Sequence, residues 1–331
     1  MCRPLDGRHI AIVGAGVAGL TAAMALVERG ANVTIYERSS MLGRRSCAWV
    51  AGGMLAPYCE RDGADSVVSD RGRLALSWWP QYVHSVTQRG SLVVAALRDR
   101  ADLWSFAART EGHQALDHDG IAHLEPDLAG RFDQALWFPD EAHLNPRQAL
   151  PDLAQAFRER GGRIEFGVDA QPHEFGNTPV IDCRGLAARD ALPSLRGVRG
   201  EMLLLRSRDV HFSRPVRFLH PRIPLYVVPR EDGLLMLGAT SIESDYDGPV
   251  SMRSAMELLH AAYALHPALA EADVVEFGVG VRPAFPDNVP RLLSKDRVVH
   301  FNGLYRHGFL LSPWYAEQLA AQMVESMAEA A

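Results

Sequence analysis

Three glycines and one acid near the start of the chain have the residue types and the spacing of a dinucleotide-binding site. Gly14, Gly16 and Gly19 follow the apolar run 9–13, and Glu37 stands 23 residues after Gly14. In a G-x-G-x-x-G pattern the first glycine permits a tight turn, the second lets the backbone approach a pyrophosphate, and the third lets a helix pack close to a strand. The acid would bind a ribose, and it argues against NADP because a carboxylate repels a 2′-phosphate. The pattern alone leaves NAD and FAD open.

The elements that must position these residues are predicted from the same stretch. Residues 9–37 have the pattern of a strand, a helix and a second strand, and the helix N-terminus would offer N–H groups and a partial positive charge to phosphates. The uncharged segment 10–27 also has the length of a membrane helix or a signal-peptide core. The glycine spacing and the strand-forming residues 10–13 instead favour a buried parallel strand followed by its helix. We therefore expect a soluble protein that does not associate with a membrane.

The composition of the chain limits its class and its partners. With 331 residues, of which 47% are hydrophobic, it can form one large domain or two closely packed ones. The net charge of −6 gives no reason to expect a nucleic-acid partner. The cysteine spacing fits neither a zinc site nor a redox pair, so we expect reduced thiols, a cytoplasmic location and no bound metal. The cysteines are Cys2, Cys47, Cys59 and Cys183.

The pattern of hydrophobic residues changes along the chain and predicts an α/β fold with two interleaved domains. Segments 1–85, 140–200 and 275–331 would form a Rossmann-like nucleotide-binding domain. Segments 86–139 and 201–274 would form an inserted α+β substrate-binding domain around an antiparallel sheet. No second G-x-G-x-x-G occurs, so a layout with two dinucleotide domains is not expected.

Local signals predict three elements within this layout. Asn145 can cap a helix that begins with Pro146. Ser312 and Pro313 give the same signature for the start of the last helix. The turn 231–233 between two apolar runs predicts a β-hairpin.

Longer stretches of the chain resemble a known enzyme family. The segments WVAGGMLAP (49–57) and GLYRHGFLLSP (303–313) are the most specific, and PDEAHLNPR (139–147), YVVPR (226–230) and GVRP (280–283) agree with them. Together with the N-terminal fingerprint, they resemble the FAD-dependent D-amino acid oxidase family, and within it the glycine oxidases that supply glycine imine for the thiazole of thiamine. The resemblance covers nearly the whole chain. It implies non-covalently bound FAD in the Rossmann-like domain.

The resemblance implies a substrate site of three residues. Arg282, which follows the predicted strand 274–281, would hold the substrate carboxylate, because a guanidinium matches a carboxylate as a two-pronged donor. Tyr226 would reach the same carboxylate with its hydroxyl, and Arg306 would lie at the substrate end of the site. The alternatives are a surface arginine at a strand end and a tyrosine ring that only packs.

The resemblance also places a longer set of residues along FAD. Ser46, Gly53 and Met54 would follow the pyrophosphate and the isoalloxazine, the backbone of Val168 would touch the adenine, and Arg45 would bind phosphate or be solvated. The positive end of the last helix would face the flavin pyrimidine ring. The full expected set is Gly14, Ala15, Gly16, Gly19, Glu37, Arg38, Arg45, Ser46, Gly53, Met54, Val168, Leu304, Tyr305, Arg306, His307, Gly308, Phe309 and Leu310.

The sequence shows no pattern typical of a hydrolase nucleophile and no obvious general base. The resemblance implies that a hydride moves from the substrate Cα to flavin N5, so no side chain is expected to be catalytic beyond the flavin. The implied reaction is oxidative deamination of glycine or another small amino acid, through an imine, to a 2-oxo acid, ammonia and hydrogen peroxide. Oxygen would be the acceptor, and a thiazole synthase would be a partner that captures the imine.

Two alternatives to this reaction stay open. One is a D-amino acid or sarcosine-type dehydrogenase that passes electrons to a carrier instead of oxygen. The other is a non-catalytic flavin-binding subunit of a larger assembly. A homo-oligomer is compatible with each of them, and no residue pattern decides the oligomeric state.

Overall fold

The structure of the protein is a computed structural model that describes residues 3–220 and 224–329. Its strands are β1 His9–Val13, β2 Asn32–Glu37, β3 Met54–Leu55, β4 Ser91–Ala95, β5 Gln114–Asp117, β6 Gln134–Phe138, β7 Ala142–His143, β8 Arg163–Phe166, β9 Val180–Asp182, β10 Arg196–Arg206, β11 Val216–Leu219, β12 Leu225–Pro229, β13 Leu234–Gly238, β14 Ile242–Glu243, β15 Asp273–Ala284, β16 Arg291–Lys295 and β17 Val298–Asn302. Its α-helices are α1 Val17–Glu28, α2 Ser66–Gly72, α3 Leu74–Trp78, α4 Arg100–Arg109, α5 His118–Leu124, α6 Pro146–Glu159, α7 Met252–Leu265 and α8 Gly308–Glu329. Cys2 lies outside the described residues. Within the described ranges no helix combines the length and the apolar character that a membrane span needs.

A six-stranded sheet carries the predicted dinucleotide motif. Its strand order is β16-β17-β9-β1-β2-β8, and all neighbours are parallel except β16 and β17. The predicted strand–helix–strand unit is confirmed as β1, α1 and β2. Helix α1 packs against α6 and α8, and the side chains of β1 after His9 are buried. Because β1 and β2 are parallel, their carboxyl ends meet at one edge, where the fingerprint and Glu37 lie.

The second large sheet of the fold has nine strands and is largely antiparallel. Its order is β14-β10-β13-β12-β11-β4-β6-β5, and β15 pairs with β10. The predicted hairpin is confirmed, since β12 pairs antiparallel with β13. Helix α7 covers this sheet and buries Leu258 and Leu265 against Leu203 and Leu237. The expected boundaries at 200/201 and 274/275 fall inside β10 and β15, and the domain division stays a prediction.

One of the two predicted helix starts is confirmed. Helix α6 begins with Pro146, and the Asn145 side chain accepts a hydrogen bond from the Arg147 N–H at 3.1 Å. This cap satisfies one of the free N–H groups of the first turn, as the local signal requires.

The predicted start of the last helix is wrong. Helix α8 begins at Gly308, four residues before Ser312, and Pro313 therefore lies inside it. A proline has no N–H, so the Phe309 carbonyl loses the helical donor that another residue would provide. The buried Trp79 indole Nε1 donates to this carbonyl at 2.7 Å instead. A tertiary hydrogen bond thus compensates for the proline, which allows the helix to start earlier than the local signal indicates.

Candidate functional site

The glycine fingerprint lies at one large cavity of about 1200 Å³. Gly14 has a φ of +103°, and a Cβ on it would lie 2.7 Å from the Cys183 carbonyl oxygen. A Cβ on Gly19 would overlap the Gly14 carbonyl, so α1 can pack this close to β1 only without a side chain there. Apart from its chain neighbours, a Cβ on Gly16 would have only Ser46 Oγ within 4 Å in the described part of the chain, at 3.4 Å. The backbone at Gly16 is therefore open to a ligand, as a pyrophosphate cradle requires.

Glu37 ends β2 beside the fingerprint loop. Its Oε2 accepts a hydrogen bond from the Ala15 N–H at 2.8 Å, and its Oε1 accepts one from the Ser39 N–H at 2.9 Å. Each carboxylate oxygen can accept a further bond, and the side chain lines the cavity. Glu37 thus orients the fingerprint loop and still has acceptor capacity for ribose hydroxyls.

The structure brings the predicted cofactor and substrate residues to this cavity. All of them line it except Gly19, which packs beneath the loop. The lining residues among them are Gly14, Ala15, Gly16, Glu37, Arg38, Arg45, Ser46, Gly53, Met54, Val168, Tyr226, Arg282, Leu304, Tyr305, Arg306, His307, Gly308, Phe309 and Leu310. Their individual roles toward FAD and substrate stay predictions.

The nine-stranded sheet contributes Arg282 and Tyr226 to the cavity wall. Arg282 belongs to β15 itself rather than following the strand, and its Nη1 donates to the Thr240 carbonyl at 3.1 Å. A Cβ on Gly200 would overlap Arg282 Nη2 and lie 2.8 Å from Nη1, and a Cβ on Gly238 would lie 2.8 Å from the Tyr226 hydroxyl. The two glycines therefore leave the space in which the guanidinium and the phenol lie against the sheet.

A buried network fixes the segment that holds Arg282. The Glu201 N–H donates to Thr240 Oγ1 at 2.9 Å, and that hydroxyl donates to Glu201 Oε2 at 3.1 Å. Arg199 Nη2 donates to Glu201 Oε1 at 2.7 Å and to the Pro249 carbonyl at 2.6 Å. Both charged side chains are buried, and charge-assisted bonds of this kind are strong. The network ties the loop after β13 to β10 and so positions the carbonyl that orients the guanidinium.

An acid and an arginine that no sequence pattern pointed to, Glu60 and Arg217, also line this cavity. Glu60 lies on the short 3₁₀ helix Cys59–Asp62. Its Oε1 accepts a hydrogen bond from Arg217 Nη2 at 2.6 Å, and its Oε2 accepts one from Arg306 Nη2 at 2.9 Å. Burial alone would raise the pKa of Glu60, but the charges of Arg306 and Arg217 hold this pKa well below its ordinary value. Glu60 is therefore ionised and paired with two cations.

Two further groups at the cavity have shifted pKa values. Burial lowers the pKa of His307 to about 4, so its imidazole is neutral at neutral pH. Burial raises the pKa of Tyr226 although the Arg282 charge opposes the shift, so the phenol keeps its proton and can donate it in a hydrogen bond.

The residues of this site fit FAD. The N-terminus of α1 has Gly16 as its cap with no side-chain hydrogen bond, so its N–H groups can bind a pyrophosphate. The N-terminus of α8, at Gly308, also lines the cavity, and this end of a helix favours negative charge. The volume of about 1200 Å³ exceeds the roughly 300–1,000 Å³ of sites for drug-sized ligands, which leaves room for a dinucleotide and a small substrate.

Comparison with known proteins agrees with this assignment. Residues 9–322 match the family model DAO, described as FAD dependent oxidoreductase. The "Putative thiamine biosynthesis oxidoreductase ThiO" of Rhizobium etli is 52% identical over 320 residues, which are 96% of each chain. The glycine oxidase of Geobacillus kaustophilus is 27% identical over 360 residues, covering 96% of this chain and 92% of that protein. The "Bifunctional protein ThiO/ThiG" of Nostoc is 27% identical over 351 residues, covering 97% of this chain and 53% of that protein.

Solved structures show the same fold. The crystal structure of glycine oxidase from Bacillus cereus matches with a TM-score of 0.81 at 22% identity, covering 97% of this chain and 95% of that one. The glycine oxidase structure from Geobacillus kaustophilus matches with a TM-score of 0.79 at 24% identity, covering 96% and 95%. Because the family model spans residues 9–322 and one relative is 52% identical, this chain belongs to the FAD dependent oxidoreductase family DAO.

Proposed function

We propose that this protein is an FAD-dependent glycine oxidase that serves thiamine biosynthesis. The relatives named as a thiamine biosynthesis oxidoreductase and as glycine oxidases support the proposal. The observation that carries it is the placement of Arg282, held by the Thr240 carbonyl at a cavity that the Tyr226 side chain also lines. A guanidinium with a neighbouring phenol is a suitable binding site for the carboxylate of a small amino acid.

The side chains of this site bind and orient the substrate. Arg282 and Tyr226 donate hydrogen bonds to the carboxylate, which fixes the amine and Cα relative to the cofactor and lowers the entropy cost of reaction. When bound, FAD supplies the acceptor for the two electrons and the hydrogen that leave Cα. Glu60 is ionised but paired with two arginines, and His307 is buried and neutral. Neither is assigned the role of a base, and the substrate amine enters unprotonated.

The product and its fate follow from this chemistry. Oxidation of glycine gives its imine, which hydrolyses to glyoxylate and ammonia, while oxygen takes the electrons and forms hydrogen peroxide. The relative named as a bifunctional ThiO/ThiG protein supports a partner that captures the imine directly, which we identify with a thiazole synthase. Among the described residues, Cys47, Cys59 and Cys183 form no disulfide, which suits the reducing cytoplasm.

A substrate panel with peroxide detection tests the proposal. The FAD-loaded protein should consume glycine with one hydrogen peroxide formed per glycine, and with glyoxylate and ammonia as products. The rates of peroxide formation with sarcosine and with D-alanine would show whether the pocket accepts a substituent on the nitrogen and on Cα. Glycine consumption that requires a carrier and gives no peroxide would identify a dehydrogenase instead. A purified protein that stays colourless after FAD is added would contradict both enzyme functions.

A further inference from the structure

Glu60 and Arg217 form a cluster with Arg306 in the cavity that Arg282 and Tyr226 line, and neither Glu60 nor Arg217 takes part in the carboxylate site proposed above. Arg217 and Tyr226 are directly opposite in the pairing of β11 with β12, so their side chains leave the same face of the sheet. Glu60, Arg217, Arg306 and Tyr226 all line the cavity that Arg282 also lines. The cluster and the carboxylate site therefore belong to one binding pocket.

The Glu60 carboxylate binds Arg217 and Arg306 in the way that a carboxylate of a ligand would. Its two oxygens accept from Arg217 at 2.6 Å and from Arg306 at 2.9 Å, and only 14% of its side chain is exposed. Arg217 Nε is buried without a hydrogen-bond partner among the described residues, so the pairing leaves donor capacity on this guanidinium. An arginine pair of this kind without the acid would attract a carboxylate from a ligand.

The position of Glu60 is held by a second buried acid. Glu141 Oε1 accepts hydrogen bonds from the Tyr58 N–H at 3.0 Å and from the Cys59 N–H at 2.7 Å. These bonds fix the start of the 3₁₀ helix Cys59–Asp62, which carries Glu60. The carboxylate of Glu60 is therefore built into the pocket and does not depend on a flexible surface loop.

The ion pairs at this end of the cavity, rather than its net charge, favour one substrate carboxylate over two. Among the described residues, the charges that act on the Tyr226 phenol include the three guanidinium groups of Arg282, Arg217 and Arg306 and the carboxylate of Glu60. An amino-acid carboxylate on Arg282 leaves the other two arginines, and Glu60 already binds both. A second substrate carboxylate would meet a like charge there, and like charges in such a site disfavour binding.

We propose that Glu60 is a specificity-determining residue that takes the place of a second substrate carboxylate and so restricts the pocket to amines with one carboxylate. This inference rests on the proposed function, because it assigns Arg282 to the substrate carboxylate. It predicts that dicarboxylic amino acids and dicarboxylate inhibitors bind poorly, although the pocket holds three arginines.

The test compares each dicarboxylate with its monoamide, which has nearly the same shape and one charge less. Dissociation constants of malonate, malonamate, succinate and succinamate are measured from the perturbation of the bound FAD absorbance, so the readout does not require turnover of glycine. In the wild type the monoamide should bind at least as well as the dicarboxylate. In Glu60→Gln the preference should reverse, with a shift of the dicarboxylate-to-monoamide ratio by about tenfold or more.

Two further variants separate this role from a structural one. Glu60→Asp keeps the charge and should keep the wild-type preference for the monoamide. Glu60→Gln frees the Arg217 guanidinium from its acid partner, and the double variant Glu60→Gln/Arg217→Met removes this guanidinium as well. The double variant should therefore lose most of the preference for dicarboxylates that Glu60→Gln gains. A Glu60→Gln protein that binds FAD but shows the wild-type ratio would overturn the proposal, and so would a wild type that already prefers dicarboxylates, whether or not Glu60→Gln folds. A failure of glycine oxidation in the substrate panel would instead refute the proposed function without changing these binding ratios.

Discussion

Replacing Gly200 with alanine tests whether the position of the Arg282 guanidinium controls substrate binding. The added methyl would overlap Nη2 and lie 2.8 Å from Nη1, so the guanidinium has to retreat by roughly 1 Å to reach ordinary contact distance. A two-pronged bond to a carboxylate does not tolerate this displacement, and a 1 Å misplacement typically costs about 100-fold in rate. We expect kcat/KM for glycine to fall by about 100-fold, which corresponds to roughly 2.7 kcal/mol.

The assay combines steady-state peroxide formation with the FAD absorbance spectrum and urea unfolding. The overlap involves the far end of a flexible side chain, so FAD content and the unfolding midpoint should stay close to those of the wild type. Gly120→Ala in α5 is the matched control, because Gly120 is not among the residues that line the cavity. Outside its chain neighbours and the backbone of its own helix, the nearest described atom to a Cβ there would be Leu116 Cδ2 at 3.2 Å. A Gly200→Ala enzyme with wild-type kcat and KM, or one that loses FAD, would refute the reasoning about Arg282.

Three other variants test the cofactor cradle, the last helix and a buried acid. Gly16→Val should fold but lose FAD in absorbance titrations, because its Cβ would meet only Ser46 Oγ among the described residues beyond its chain neighbours, so the side chain would enter the cavity. Trp79→Phe should lower the free energy of unfolding in urea by about 1–3 kcal/mol, since the Phe309 carbonyl loses its indole donor; an unchanged value would contradict this. Burial raises the pKa of Glu141 from 4.5 to about 7, so between these pH values the folded chain keeps a proton that the unfolded chain has lost. The free energy of unfolding therefore falls as the pH rises through this range. Glu141→Gln should flatten this pH dependence, and an equally steep dependence in the variant would contradict the assignment to Glu141.

The parts of the site that are encoded in short stretches of sequence could be predicted. The fingerprint and Glu37 lie within one strand–helix–strand unit, where the glycine spacing follows directly from backbone geometry. The Asn145 cap of α6 is equally local. Pro313 was misplaced because the donor that makes it tolerable, the Trp79 indole, is 230 residues from Phe309 in sequence.

The Glu60 cluster could not be predicted for the same reason. Glu60 is 157 residues from Arg217 and 246 residues from Arg306, and no spacing rule connects them. Arg282 and Tyr226 were predicted only because the surrounding segments resemble a known family. The structure adds the physical conditions for their placement, which are the space above Gly200 and the Thr240 carbonyl.

Anaerobic reduction of the bound flavin by glycine tests most directly whether Arg282 binds the substrate carboxylate. In the wild type, the flavin absorbance should bleach as glycine is added in the absence of oxygen. In Arg282→Met, which keeps most of the side-chain volume but removes the charge, FAD should remain bound with an oxidised spectrum at glycine concentrations that fully reduce the wild type. The loss of one partner of such a charge pair typically costs about 2–5 kcal/mol, which is roughly 30-fold to several thousand-fold in efficiency. Flavin reduction in Arg282→Met at the wild-type rate and glycine concentration would contradict the assignment of this arginine to the substrate.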